Sequence, residues 1–127
     1  MQDPSFGSTS YSPDRLVGGD LKLITREVTL TDIGATGPLV RGTVLGMIAA
    51  DERYGVSLAA SGDGSESPRA ILAIDADPSG GDVTALIYDQ GEFNANALTI
   101  GTGHTVASIR EALRALSIHL KVPVAAV

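Results

Sequence analysis

The pattern of apolar and polar positions between residues 70 and 98 reads as strand, turn, strand, turn, and the rest of the chain can be arranged around that stretch. Ile71, Leu72, Ala73 and Ile74 form a short apolar run. Pro78, Ser79, Gly80, Gly81 and Asp82 follow, supplying the fixed φ, the free φ and the local side-chain bonding of a tight reversal. The return run sets Val83, Ala85 and Ile87 against Thr84, Leu86 and Tyr88. Apolar residues on both parities predict a ribbon covered on both faces, wedged between two layers. Gly91 and the pair Asn94 and Asn96 are expected to break the run, leaving Phe93 and Leu98 as apolar anchors on either side.

Upstream, residues 21–30 are rich in β-branched side chains, with Ile24, Val28 and Leu30 on one parity and Arg26 as the exception. That pattern predicts a strand, in an edge position. In residues 39–50, Val40, Val44 and Ile48 share a side with Gly42 and Gly46, and glycines inside a strand mark a bend or a second backbone passing close. Their GxxxG spacing sits among Val and Thr, which argues against a packed helix. Tyr54, Val56 and Leu58 make a short alternating strand, and residues 61–69, a Ser, Gly, Asp and Pro cluster without an apolar side chain, are expected to be an exposed, mobile loop. Thr105 is a suitable N-cap for a helix over residues 106–116, where Val106, Ile109, Leu113 and Leu116 fall on one stripe. Ile118, Leu120 and Val122 then alternate with His119 and Lys121 as a last strand before Pro123. Many short strands and one late helix predict a mainly β, barrel-like domain over residues 21–127.

Residues 1–20 break this pattern. They hold two prolines, three glycines and four serines, with Phe6, Tyr11, Leu16 and Val17 at no helical or strand period, and are expected to form a flexible N-terminal arm. Isolated apolar residues in a polar tail suit docking on a partner. Leu16 and Val17 on one side and Leu21, Leu23 and Ile24 on the other flank a glycine pivot at Gly18 and Gly19, and these five are the candidate contact residues of an arm that adds as a strand to a partner's sheet edge.

Composition narrows the picture further. At 127 residues the chain is one domain by size, and with 43% hydrophobic but only 4% aromatic residues its core must be built from closely packed aliphatic side chains. Fifteen acidic against nine basic residues give a net charge of -6, which disfavours contact with nucleic acid. The absence of cysteine excludes disulfides, Cys-ligated zinc and thiol catalysis. No apolar run approaches the roughly 20 residues of a membrane span, and the basic-then-apolar layout of a secretory signal is missing, so a soluble chain is expected.

Candidate chemistry is sparse. Asp75, Asp77, Asp82 and Asp89 are the densest acidic set, but a hard-cation site needs six to eight oxygens converging on one point, and Asp beside a turn commonly serves its own backbone. The GTGHT stretch at residues 101–105 could present N–H groups to an anion, yet it lacks the lysine of a P-loop and reads better as a helix cap. Either histidine, His104 or His119, would have to serve a triad, and no serine stands in a nucleophile elbow. Arg110 and Arg114, four residues apart with Glu111 between them, form a basic strip that is either a solvated helix face or an interface. No catalytic residue, cofactor or metal is expected.

ILAIDAD, GGDVTALIYDQGEFN and ALTIG, in that order, together with Ile24, GTVLG and IREALRALSIHLK, resemble the phage head decoration protein family, the lambda D-like capsid-stabilising proteins. The resemblance runs co-linearly over roughly the last four-fifths of the chain. It implies a β-clip-like domain that binds as a homotrimer at threefold-like sites on the outer surface of a phage head, with the major capsid protein as partner, and that reinforces the expanded, DNA-filled shell. It also implies a virion location after synthesis in the host cytoplasm, and an N-terminal segment that grips the capsid. AIDADPSGGDV is similar to a motif of the dUTPases, but Pro78 stands where that motif has a stacking tyrosine and Gly80, Gly81 and Asp82 disturb its Gly-Glu step. A degenerate nucleotide hydrolase of that kind, or a β-rich virion accessory module, are the alternatives.

Overall fold

Six strands and one helix make up the regular structure of residues 16–122, the part of the chain that this computed structural model describes. β1 (Ile24–Leu30) lies antiparallel to β5 (Val83–Asn94) along its whole length. At its far end Leu30 pairs in parallel with Tyr54 of β3 (Tyr54–Val56). β3 continues to β2 (Val44–Met47), β2 to β4 (Pro68–Leu72), and β4 back to β5. The order β1-β3-β2-β4-β5 therefore returns on itself, and five strands close a barrel. Helix α1 (Val106–Arg114) and a sixth strand, β6 (Ile118–Lys121), follow, with β6 parallel to the last four residues of β5.

The two-faced ribbon expected from the sequence is what organises this arrangement. One parity of the barrel strands supplies Leu45, Ala70, Leu72, Ala85 and Ile87, which meet Val28, Leu30, Leu39, Tyr54 and Val56 in the barrel core. The other parity supplies Val44, Ile71, Ala73 and Tyr88 to a second core, completed by Leu16, Phe93, Ala95, Ile109, Leu113, Ile118 and Leu120. Burial of each larger aliphatic side chain contributes about 1.5–3 kcal/mol, so a chain poor in aromatics is held by many such residues on both sides of one sheet. Its largest fully buried side chain, Phe93, packs in the second core with its ring 5.2 Å from that of Tyr88.

Both glycines of the 39–50 segment have the roles their spacing suggested. Gly42 turns the chain at φ +95°, and a side chain at Gly46 would stand 2.0 Å from the carbonyl oxygen of Ser65. Thr105 caps α1 as expected: its hydroxyl accepts from the Ser108 N–H at 3.2 Å, while Ser108 Oγ accepts from the Thr105 N–H at 2.8 Å.

Four local expectations need correcting. β5 is not broken at Gly91 but runs 12 residues to Asn94, because Gly91 itself donates to the Ser117 carbonyl and gives Leu23 and Phe93 room to pack against it. β4 ends at Leu72, leaving Ile74 57% exposed, and the turn at Pro78–Gly81 is only the tip of a longer connection that Ala76 ties to Leu39. The loop at residues 61–69 is not simply exposed. Ser65 is buried, Ser57 Oγ donates to the Glu66 carbonyl, and Pro68 already begins β4. Finally, α1 stops at Arg114, so Leu116 falls beyond the apolar stripe and is exposed.

Candidate interaction surface

Beyond Gln90, β5 leaves the barrel and would have one bare edge. Residues 16–18 cover it. Val17 pairs antiparallel with Phe93, the Asn94 N–H donates to the Leu16 carbonyl at 2.7 Å, and the Gly18 N–H donates to the Glu92 carbonyl at 2.8 Å. The next pairing is Ile24 with Gln90. Between these points the leading chain advances seven residues while β5 advances three, so residues 18–23 stand out as a wide bulge.

Glu92 closes the base of that bulge. Its carboxylate accepts from the Asp20 N–H at 3.0 Å and lies 3.2 Å from the Lys121 ammonium, so one side chain ties the incoming chain to β6. The Lys121 hydrogen bond first, with the backbone N–H groups of Leu21 and Asp20, holds the Glu92 carboxyl below the usual glutamate range. A Cβ on Gly19 would sit 1.6 Å from Glu92 Oε1, so a side chain there would displace the carboxylate from the latch. Gln90 Nε2 adds a bond to the Lys22 carbonyl at 3.1 Å.

The five candidate contact residues separate into two groups. Leu16, expected in a free arm, is instead a core side chain only 1% exposed, because the bare edge of β5 needs a strand and the second core needs an apolar residue there. Leu21 is partly buried. Val17 (37%), Leu23 (37%) and Ile24 (42%) remain open, and Val122, leaving β6 nearby, is 55% exposed. Among the described residues, four exposed large apolar side chains thus lie on the approach to β1, at its first residue or just after β6, with Val40, Ile74 and Leu116 exposed elsewhere. Residues 1–15 of the expected arm, with Phe6 and Tyr11, lie outside the described residues.

Beside the latch, α1 and β6 enclose a cleft of about 360 Å³ lined by Glu92, Arg110, Arg114, His119, Leu120 and Lys121. Sequence reasoning saw Arg110 and Arg114 as a helix strip. It could not see that His119 and Lys121, five and seven residues past the helix end, form the facing wall.

The other candidate groups are engaged elsewhere. Asp89 pairs with Arg26 at 2.7 Å, Asp82 with Arg53 at 3.1 Å, Asp75 accepts the Arg41 N–H at 2.7 Å and Asp77 the Ser79 N–H at 3.0 Å. Among the described residues, no group of three or more His, Cys, Asp or Glu converges as a metal would require. His104 Nε2 lies 2.9 Å from the Glu66 carbonyl and joins the 61–69 loop to the start of α1.

Fold and surface together define a small β-barrel domain with exposed Val17, Leu23 and Ile24 at the root of its N-terminal segment. Residues 7–121 match the family of bacteriophage lambda head decoration protein D, and the chain belongs to that family. A search of curated proteins found no match. Membership assigns a decoration role, an accessory binding function at the phage head and in the virion.

Proposed function

We propose that the protein is a capsid cement: a homotrimer that sits at threefold-like sites on the outside of the head, binds the major capsid protein through its N-terminal segment, and reinforces the expanded shell. It is made in the host cytoplasm and joins the virion there. The observation that carries this reading is the pairing of the family match with a rim of exposed Val17, Leu23 and Ile24 at the point from which residues 1–15 extend.

The physics favours a trimer. Ordering a backbone costs about 1–2 kcal/mol per residue, so a single segment of this length gains little net affinity by docking. Three segments on one body dock at high effective concentration once the first is engaged, and affinity rises without any new kind of contact. Val17 already bridges Phe93 in antiparallel register at the edge of β5, which leads the segment towards strand addition on a capsid sheet edge. The reading gives the protein no catalytic step, and Asp75, Asp77, Asp82 and Asp89 serve arginines and backbone amides.

Removing residues 1–15 tests it, with sedimentation against purified expanded heads as the measurement. The truncated protein should remain a folded trimer and no longer co-sediment. Head binding equal to that of the full chain would refute the proposal. The cut belongs before Leu16, because removing residues 1–20 would also excise a core side chain.

A further inference from the structure

Arg110 carries the one buried side-chain nitrogen or oxygen without a hydrogen-bond partner among the described residues: its Nε. A buried donor left unpaired is unfavourable, and this one borders the cleft between α1 and β6. Arg114 follows one helical turn later, and its contact to Glu111 is long at 3.6 Å and exposed. Opposite stand His119 and Lys121. An otherwise acidic protein has thus placed three of its nine Lys and Arg residues around one concavity.

We infer that this cleft is a carboxylate receptor, taking an aspartate or glutamate side chain from the capsid shell protein as the decoration protein docks. The inference rests on the proposed function and adds the chemistry of a second contact. Guanidinium groups match planar carboxylates with paired, charge-assisted hydrogen bonds, and Arg110 and Arg114, one helical turn apart, both line the cleft. Leu120 in the wall suits the aliphatic stem of such a side chain. Glu92 lines the same cleft, so a singly charged carboxylate is accommodated more readily than a doubly charged phosphate, and the net charge of -6 opposes a polyanion. Lys121 bridges to Glu92, and Glu92 holds Asp20. The receptor is therefore continuous with the root of the N-terminal segment, and one shell surface can engage both.

The test uses the full chain and purified heads, with Arg114→Gln and Arg110→Gln measured at several salt concentrations. Arg114 is 65% exposed, so its variant should fold normally even if the more buried Arg110→Gln does not. Each folded variant should bind heads about tenfold more weakly, with a flatter salt dependence and an unchanged assembly state in sedimentation equilibrium. Wild-type affinity and salt slope in Arg114→Gln would overturn the receptor and leave the decoration reading standing. Dissociation of the variant into smaller assemblies would also overturn it, by placing the cleft between copies. Failure of the unaltered protein to bind heads would remove the decoration reading and the receptor with it.

Discussion

The barrel core and the outer core share β2, β4 and β5, yet they are closed in different ways. The barrel core is enclosed by a ring of paired strands, and its residues come from the middle of the chain, from Val28 to Ile87. The outer core is closed by pieces laid on one side: Leu16 at one end of the described chain, Ile118 and Leu120 at the other, and one face of α1 between them. Loss of the first should therefore unfold everything. Loss of part of the second should first loosen the surface from which the N-terminal segment leaves, which ties the interface to the less securely closed half of the molecule.

The largest effect is expected in the barrel. Leu72→Ala removes a fully buried side chain where β4 and β5 pair, with ring closure preventing collapse of the cavity, so a loss of about 3–5 kcal/mol is expected. Urea unfolding should show one cooperative transition at lower denaturant. A variant that kept the wild-type midpoint, or lost only the outer layer, would show that the barrel is not the dominant unit.

Leu16→Ala probes the other side. Leu16 is as deeply buried as Leu72, but it lies in the outer core, which no closed ring of strands holds rigid, so a smaller loss of about 2–3 kcal/mol is expected. The distinguishing measurement is amide exchange. Protection at Gly18 and Asn94, which bond across the β5 edge, should fall well before that of the barrel strands. Equal loss at all sites would mean the two cores unfold as one and the comparison fails.

The barrel half was the more legible in sequence, for a physical reason. Apolar residues on both parities of 83–88 place apolar groups on both faces, and only a strand between two layers can bury both, so the existence of two cores could be read directly. Gly42 and Gly46 likewise announced a bend and a close approach. Closure of the ring could not be read, since it depends on one parallel contact between Leu30 and Tyr54, distant in sequence. The fate of Leu16 was equally hidden. In a segment of glycine, serine and proline a single leucine carries no period, and only the bare edge of β5 beyond Gln90 gives it a place in the core. The receptor cleft was half visible, as two arginines on one helix; its other wall follows from the parallel return of β6, which no local pattern encodes.

The smallest effect, and the most local, concerns the Glu92 latch. Because folding lowers the Glu92 pKa, the latch stabilises the root of the segment fully above the ordinary glutamate value of about 4.3 and is lost as pH falls through the lower folded value. Global stability is a poor readout here, since Asp82 on the barrel is also held low, by Thr31 and then Arg53, and weakens in the same acid range. The amide shifts of Asp20 and Gly18 report the latch locally: they should move together as acid protonates Glu92, while amides of β2 and β3 hold until unfolding. In Glu92→Gln the acceptor oxygen remains but the charge is gone, so the Asp20 amide should lose the Glu92 component of its acid titration and the Lys121 pairing should already be weak at neutral pH. An Asp20 amide that titrates identically in the variant would assign the transition to another carboxylate. In that case the incoming chain would be held to β5 by the backbone pairing of residues 16–18 alone, and the coupling between latch and cleft would be absent.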